Sequence, residues 1–169
     1  MTMTLKLGAT AALALSLTAC GAEGGGNAAE APAAPAEKVD ALQPGSYEVT
    51  ATVTALDVTE GDTAATSLKV DDVATAKVCV GEDGKLPAET FAEGGDNCSI
   101  DDGAYFRRSS IRQQLTCTRS GQRGTVNLQV QATFGADSFE GDVNTGTYLA
   151  GSGDYSMTRS IAGKRTGDC

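Results

Sequence analysis

The chain has 169 residues, and its 22 Asp and Glu outweigh 13 Lys and Arg for a net charge of −9. That balance argues against non-specific nucleic-acid binding, which needs a basic face to displace counterions from phosphates, and against docking on anionic headgroups by charge alone. The absence of His removes Ser-His and Cys-His nucleophilic pairs, imidazole acid–base work and most zinc or copper sites, and an aromatic content of 5% leaves little to line a large aromatic pocket.

The first element is an address. Lys6 precedes an apolar run over Leu7–Leu17, too short to span a bilayer as a helix but suited to the h-region of a signal peptide. The run ends in Leu17-Thr18-Ala19-Cys20, which resembles the bacterial lipobox: an aliphatic residue, two small residues for the peptidase cleft, and a thiol that accepts a diacylglyceryl group. The alternative is an ordinary signal peptide in which Cys20 is incidental. The resemblance implies a lipoprotein cut before Cys20, with residues 1–19 as the signal peptide. Acyl chains such as palmitate, at about 0.8 kcal/mol per buried methylene, would anchor it to a membrane. Gly21 rather than Asp after that cysteine implies, in such proteins, the outer membrane facing the periplasm.

Residues 20–41 form the expected lipidated cysteine and tether. Their Gly, Ala, Pro and Glu composition has no apolar periodicity and cannot repay an ordering entropy. A flexible segment of that length spans roughly 22–27 Å, with a limit of about 70 Å. Gly24-Gly25-Gly26 has neither the preceding strand nor the Lys-Ser/Thr of a phosphate loop.

From Leu42 the pattern turns to period two. Tyr47, Val49, Ala51, Val53 and Ala55 alternate with polar residues, as do Ile111, Leu115 and Cys117, and Val126, Leu128, Val130, Ala132 and Phe134. Phe139–Leu149, Asp154–Lys164 and a segment near Thr75–Val80 read as further strands, separated by Gly and Asp turns. One short helix is expected near Lys85–Ala92, with Pro87 in its first turn and Phe91 packed on the sheet. Residues 57–74 fit neither period. The expected fold is mainly all-β: an antiparallel meander of about six to eight strands over residues 42–169, forming a curved sheet or small half-barrel. Its inward positions include Ala, Thr and Gln113, so the core is thin and covalent staples are expected.

With Cys20 lipidated, Cys79, Cys98, Cys117 and Cys169 remain, an even number for an oxidising compartment. Four cysteines allow three pairings. The favoured one joins Cys98 to Cys117 within a hairpin and Cys79 to Cys169, which pins the last residue. Each bond would contribute about 3–5 kcal/mol in the chain-entropy account. A metal or redox site has little support, because no C-x-x-C or His is present.

The order of short motifs resembles a known family. Leu42-Gln43-Pro44-Gly45-Ser46-Tyr47-Glu48-Val49, Val78-Cys79-Val80, the central pair Cys98 and Cys117, and the ending Gly163-Lys164-Arg165-Thr166-Gly167-Asp168-Cys169 resemble the domain of unknown function 3617 of proteobacterial envelope proteins. The resemblance spans residues 42–169. It implies a small disulfide-bonded β domain in the periplasm, with no established activity and no site residues. Residues 57–74 and 81–96 depart from the family's longer, more helical segment.

The remaining motifs give no catalytic, cofactor or metal residue. Asp71, Asp72, Glu82, Asp83, Asp101, Asp102 and Asp142 offer carboxyl pairs for a hydrolase, but most sit in turns where Asp serves the local backbone. Gly81-Glu82-Asp83-Gly84 and Gly94-Gly95-Asp96-Asn97 lack the spacing of a calcium loop. Arg107, Arg108, Arg112, Arg119 and Arg123 form one basic concentration. Arg108 and Arg112 are expected to share a solvated face with Gln114, Gln129 and Gln131. The expectation is therefore a non-enzymatic envelope interaction or binding module. The alternative is a carrier of a small apolar ligand or lipid in the curved sheet. Its partners would be the membrane through Cys20, an envelope protein or such a ligand, and no nucleic acid.

Overall fold

A computed structural model describes residues 38–151 and 153–169. Cys20, the expected signal peptide and most of the expected tether lie outside the described residues. Eight strands form: β1 Gly45–Val58, β2 Val73–Val80, β3 Asp96–Ile100, β4 Tyr105–Arg107, β5 Ser110–Arg119, β6 Gly124–Phe134, β7 Ser138–Leu149 and β8 Tyr155–Gly167. Their spatial order is β2-β1-β8-β7-β6-β5-β3, with β4 paired to β5 off that path, and every pairing is antiparallel. The sheet curls into an open half-barrel, as the sequence leads one to expect.

Strict alternation builds the central strands. In β6, Val126, Leu128, Val130, Ala132 and Phe134 are buried while Asn127, Gln129, Gln131 and Thr133 face solvent. The inward set of β8 is Tyr155, Met157, Arg159, Ile161 and Gly163. Gly163 is needed there because Phe139 lies across it; a Cβ would stand 2.2 Å from Phe139 Cε1. In β1 the alternation breaks at a register shift between Val53 and Ala55 against β8. Ala55, expected inward, is therefore exposed.

The concave face is filled by the chain's own connection between the two edge strands. Residues 81–95 leave β2, cross the concavity and enter β3. Leu86 and Phe91 from this plug join Leu42, Tyr47, Val49, Ile111, Leu115, Leu128 and Ile161 in the main apolar cluster. The helix expected near Lys85–Ala92 is only a 3-10 turn over Ala88–Thr90, with Pro87 just before it in an extended conformation. The sequence is too short between its Gly breaks to propagate a helix, and packing of the fully buried Phe91 sets its path. Gly84 lets the plug begin. Its φ of +64 suits glycine, and its carbonyl accepts from Leu42 N at 3.0 Å.

Residues N-terminal to Leu42 also pack. Arg108 and Ser109 form the β4–β5 turn with φ of 51 and 58, the left-handed pair that a tight hairpin turn needs and that non-glycine residues resist. Asp40 Oδ1 accepts from Arg108 N at 2.8 Å, and Val39 exchanges hydrogen bonds with Ser109 through its carbonyl (2.6 Å) and its N–H (3.0 Å). The segment at 39–40 thus braces a turn whose residues would otherwise relax.

The cysteines pair as favoured from the sequence: Cys98–Cys117 and Cys79–Cys169. Cys98 and Cys117 are directly opposite across β3 and β5. Cys79 lies on β2 opposite Ser46 of β1, which is opposite Gly167 of β8, so its bond to Cys169 bridges over β1. One disulfide therefore holds each edge strand of an open sheet. The C79A/C169A double variant should lose about 2–5 kcal/mol in urea unfolding, and amides of β2 should gain exchange rate before those of β6.

Candidate functional site

A polar layer crosses the interior at one end of the half-barrel. It separates the main apolar cluster from a smaller one of Val53, Tyr155 and Met157, on which Leu56, Ala64 and Leu68 pack. The layer draws on four parts of the chain. β5 ends in Arg119, β8 begins with Tyr155, β3 begins with Asp96, and the plug supplies Glu93. Register brings Arg119 and Asp96 together, since they are directly opposite across β5 and β3.

Arg119 is the hub. Its Nε and Nη2 donate to the two oxygens of Asp96 at 2.7 and 2.9 Å, and Nη1 donates to Ala65 O at 2.8 Å. Nη2 also lies 3.1 Å from Glu93 Oε2 and 3.0 Å from the Tyr155 hydroxyl. That hydroxyl donates to Glu93 Oε1 at 2.6 Å, and Thr66 Oγ1 donates to Glu93 Oε2 at 3.1 Å. The side chains of Glu93 and Asp96 are 6% and 0% exposed, so each carboxylate depends on these partners. The Asp96 hydrogen bonds raise the pKa of Arg119 further above its ordinary range. Burial, then the hydrogen bond to Glu93, raises that of Tyr155.

Arg159 is the second buried guanidinium. It is 6% exposed and sits opposite Val53 across β8 and β1. Its Nη1 donates to Ala92 O at 3.3 Å and its Nη2 to Phe91 O, so β8 grips the plug by its backbone. Burial lowers its pKa, and the nearby Glu93 charge partly offsets this. Among the described residues its Nε has no hydrogen-bond partner, and neither does Thr90 Oγ1.

Beside this layer the concavity is not completely filled. A groove of about 290 Å³ runs between the plug and the inner faces of β1 and β2. Val49, Ala51 and Val53 line it from β1, and Ala74, Ala76 and Val78 from β2, with Thr90 and Arg159 on its polar wall. The side chains on β2 are small, and that edge of the sheet is uncovered, so Val73, Ala74 and Ala76 stay exposed.

The family profile that matches covers residues 42–169. The chain belongs to the DUF3617 family of proteins of unknown function. Comparison with curated proteins and with solved structures finds no match. For this DUF3617 domain the geometry therefore stands alone.

The residues singled out in the sequence are scattered. Asp72 Oδ2 accepts from Lys69 N, Asp83 Oδ1 from Lys85 N, and Asp101 Oδ2 from Thr116 Oγ1, all local backbone or strand support. Asp142 faces outward in a cross-strand row with Gln131 and Arg112. Glu82 and Asp102 are exposed, and Asp71 sits in a turn with φ of 72. Among the described residues no three acidic or Cys side chains gather as a metal site. The Arg concentration divides. Arg107, Arg108, Arg112 and Arg123 are exposed, whereas Arg119 turns inward. Arg112, Gln114, Gln129 and Gln131 share the outer face, but Arg108 is in the turn.

Sequence reading missed Glu93, Tyr155 and Arg159. The signal for Arg159 was present: a charged residue in phase with the inward Met157 and Ile161. Replacing Arg119 with Met should cost about 3–5 kcal/mol in urea unfolding at pH 7, because it strands two buried carboxylates. Tyr155→Phe should cost about 1–3 kcal/mol. Since folding favours the neutral hydroxyl, its stabilisation is complete below pH about 10 and is lost as pH rises above that value. The variant should therefore show a shallower fall in stability between pH 9 and 11, about the ordinary tyrosine value, than the parent does.

Proposed function

We propose that this chain is a non-enzymatic binding module of the bacterial cell envelope, exported and anchored by lipid on Cys20, on the periplasmic side of the outer membrane. One observation carries the binding half of this reading. The plug closes most of the concavity and commits the buried Glu93, Asp96 and Arg119 to one another, leaving an apolar groove at the uncovered edge of the sheet. Groups locked in mutual ion pairs support a scaffold rather than an acid–base pair poised for a substrate.

The address half rests on the lipobox-like Leu17-Thr18-Ala19-Cys20 and is supported by two disulfides, which persist in oxidising compartments. The acidic balance of the chain suits a domain kept soluble beside a membrane. A second reading, a carrier of a small apolar ligand, is favoured by the groove itself, which lies near the lower bound of small-molecule sites. The alternative of an envelope protein as partner would use the same uncovered edge.

The test is expression of the full chain and of Cys20→Ser in a Gram-negative host. The parent should partition with membranes and carry the mass of an acylated N-terminal cysteine. The variant should appear in the soluble periplasmic fraction. An unacylated parent, or one found in the cytoplasm, would contradict the anchor.

A further inference from the structure

Charge is distributed unevenly around the groove. The polar layer behind it is neutral overall: two buried guanidiniums, Arg119 and Arg159, accompany two buried carboxylates, Glu93 and Asp96. Arg159 donates to the carbonyls of Phe91 and Ala92, and its Nε is sealed from solvent, as is Thr90 Oγ1. That wall therefore offers a ligand no unmatched charge.

The rim differs. Asp72, just before β2, and Glu89, on the plug, both line the groove and both are exposed. Among the described residues neither carboxylate lies within ion-pair distance of a Lys or Arg. Asp72 Oδ2 accepts from the backbone N–H of Lys69 at 2.8 Å, which leaves its charge in place. Alternation puts Lys77 on the outer face, opposite Glu48 of β1, so the one cation of β2 points away from the groove. Carboxylates at the mouth of a cleft with low-dielectric walls focus a negative potential there.

The walls are Val49, Ala51 and Val53 on one side and Ala74, Ala76 and Val78 on the other, which suit an aliphatic body. A volume of about 290 Å³ holds roughly ten non-hydrogen atoms at about 30 Å³ each. We propose that the groove binds a small cationic amphiphile, an alkylammonium of medium chain length, with its chain between β1 and β2 and its ammonium at Asp72 and Glu89. This names the ligand class of the carrier reading and rests on it. The chain carries most of the affinity and the head group the preference. Because the rim carboxylates are exposed, that preference is modest and falls with salt. An alcohol of the same length fills the groove without the charge, and a carboxylate of that length is repelled at the rim.

The experiment uses the oxidised protein, isotope-labelled for NMR and titrated with octylamine, octanol and octanoate at pH 7 and low salt. Octylamine should shift the amides of Ala74 and Ala76 and bind at least about threefold more tightly than octanol, with octanoate the weakest. Salt at about 0.5 M should erase that preference. The double variant Asp72→Asn, Glu89→Gln should bring octylamine down to the affinity of octanol and leave octanol unchanged; the Asn oxygen still accepts from Lys69 N. Ala76→Phe, on the exposed edge strand, should weaken octylamine at least tenfold while retaining the dispersion of the folded spectrum. Equal binding of octylamine and octanol, preference for octanoate, or a preference for octylamine that survives the double variant would overturn the head-group assignment while leaving the groove as a carrier site. Binding of octylamine that Ala76→Phe leaves unchanged would place it elsewhere and overturn the proposal. Failure of all three to bind would overturn both the proposal and the carrier reading.

Discussion

Everything distinctive about this half-barrel depends on a buried grip between the sheet and the segment that crosses it. Arg159 of β8 donates to the carbonyls of Phe91 and Ala92, and Arg119 of β5 holds Glu93 from the same segment. These contacts turn an irregular connection into the floor of the core. A buried ion pair contributes little net stability compared with apolar residues of the same volume, but breaking one is costly. Its effect is positional. The plug has one depth and one path in the concavity, and the volume left over is set by that path.

The open sheet creates two liabilities, and the covalent structure answers both. β2 and β3 are its end strands, each paired on one side only along that order. Unpaired edges fray and invite foreign strands. A disulfide ties each: Cys79–Cys169 for β2 and Cys98–Cys117 for β3. Lys77 on the exposed β2 adds a charge of the kind that discourages edge-to-edge pairing. With both edges fixed, the mouth between β2 and the plug keeps its width. The groove is thus a consequence of an unclosed barrel whose ends cannot drift.

Much of this was legible in the chain. Period-two alternation in β5 and β6 is regular because one face meets a continuous core and the other meets water. Cysteine parity and the position of Cys169 pointed to the observed pairing. Legibility failed where tertiary context overrides local pattern. The segment over Lys85–Ala92 looked helical from Pro87 and Phe91, but burial of Leu86 and Phe91 on a curved sheet extends it to a single 3-10 turn. Ala55 leaves its expected face because a bulge after Val53 shifts the register. The polar layer was nearly invisible, since its members come from distant positions. Arg119 looked like part of a basic patch, and Glu93 stood in a Gly-rich stretch that resembles a loop. Only the pairing of Asp96 with Arg119 and the inward phase of Arg159 reveal their roles.

The central claim is that the plug is an integral part of the core and not a lid over an empty cavity. Native-state amide hydrogen exchange of the oxidised protein tests this most directly at Thr90 and Phe91, whose N–H groups donate to Pro87 O and Ala88 O. The account predicts protection there close to that of the central strands, because releasing those amides requires breaking the grip of Arg159 and Arg119. Exchange at the rate of an exposed loop, with β5–β8 still protected, would show that the segment opens independently and would contradict the account.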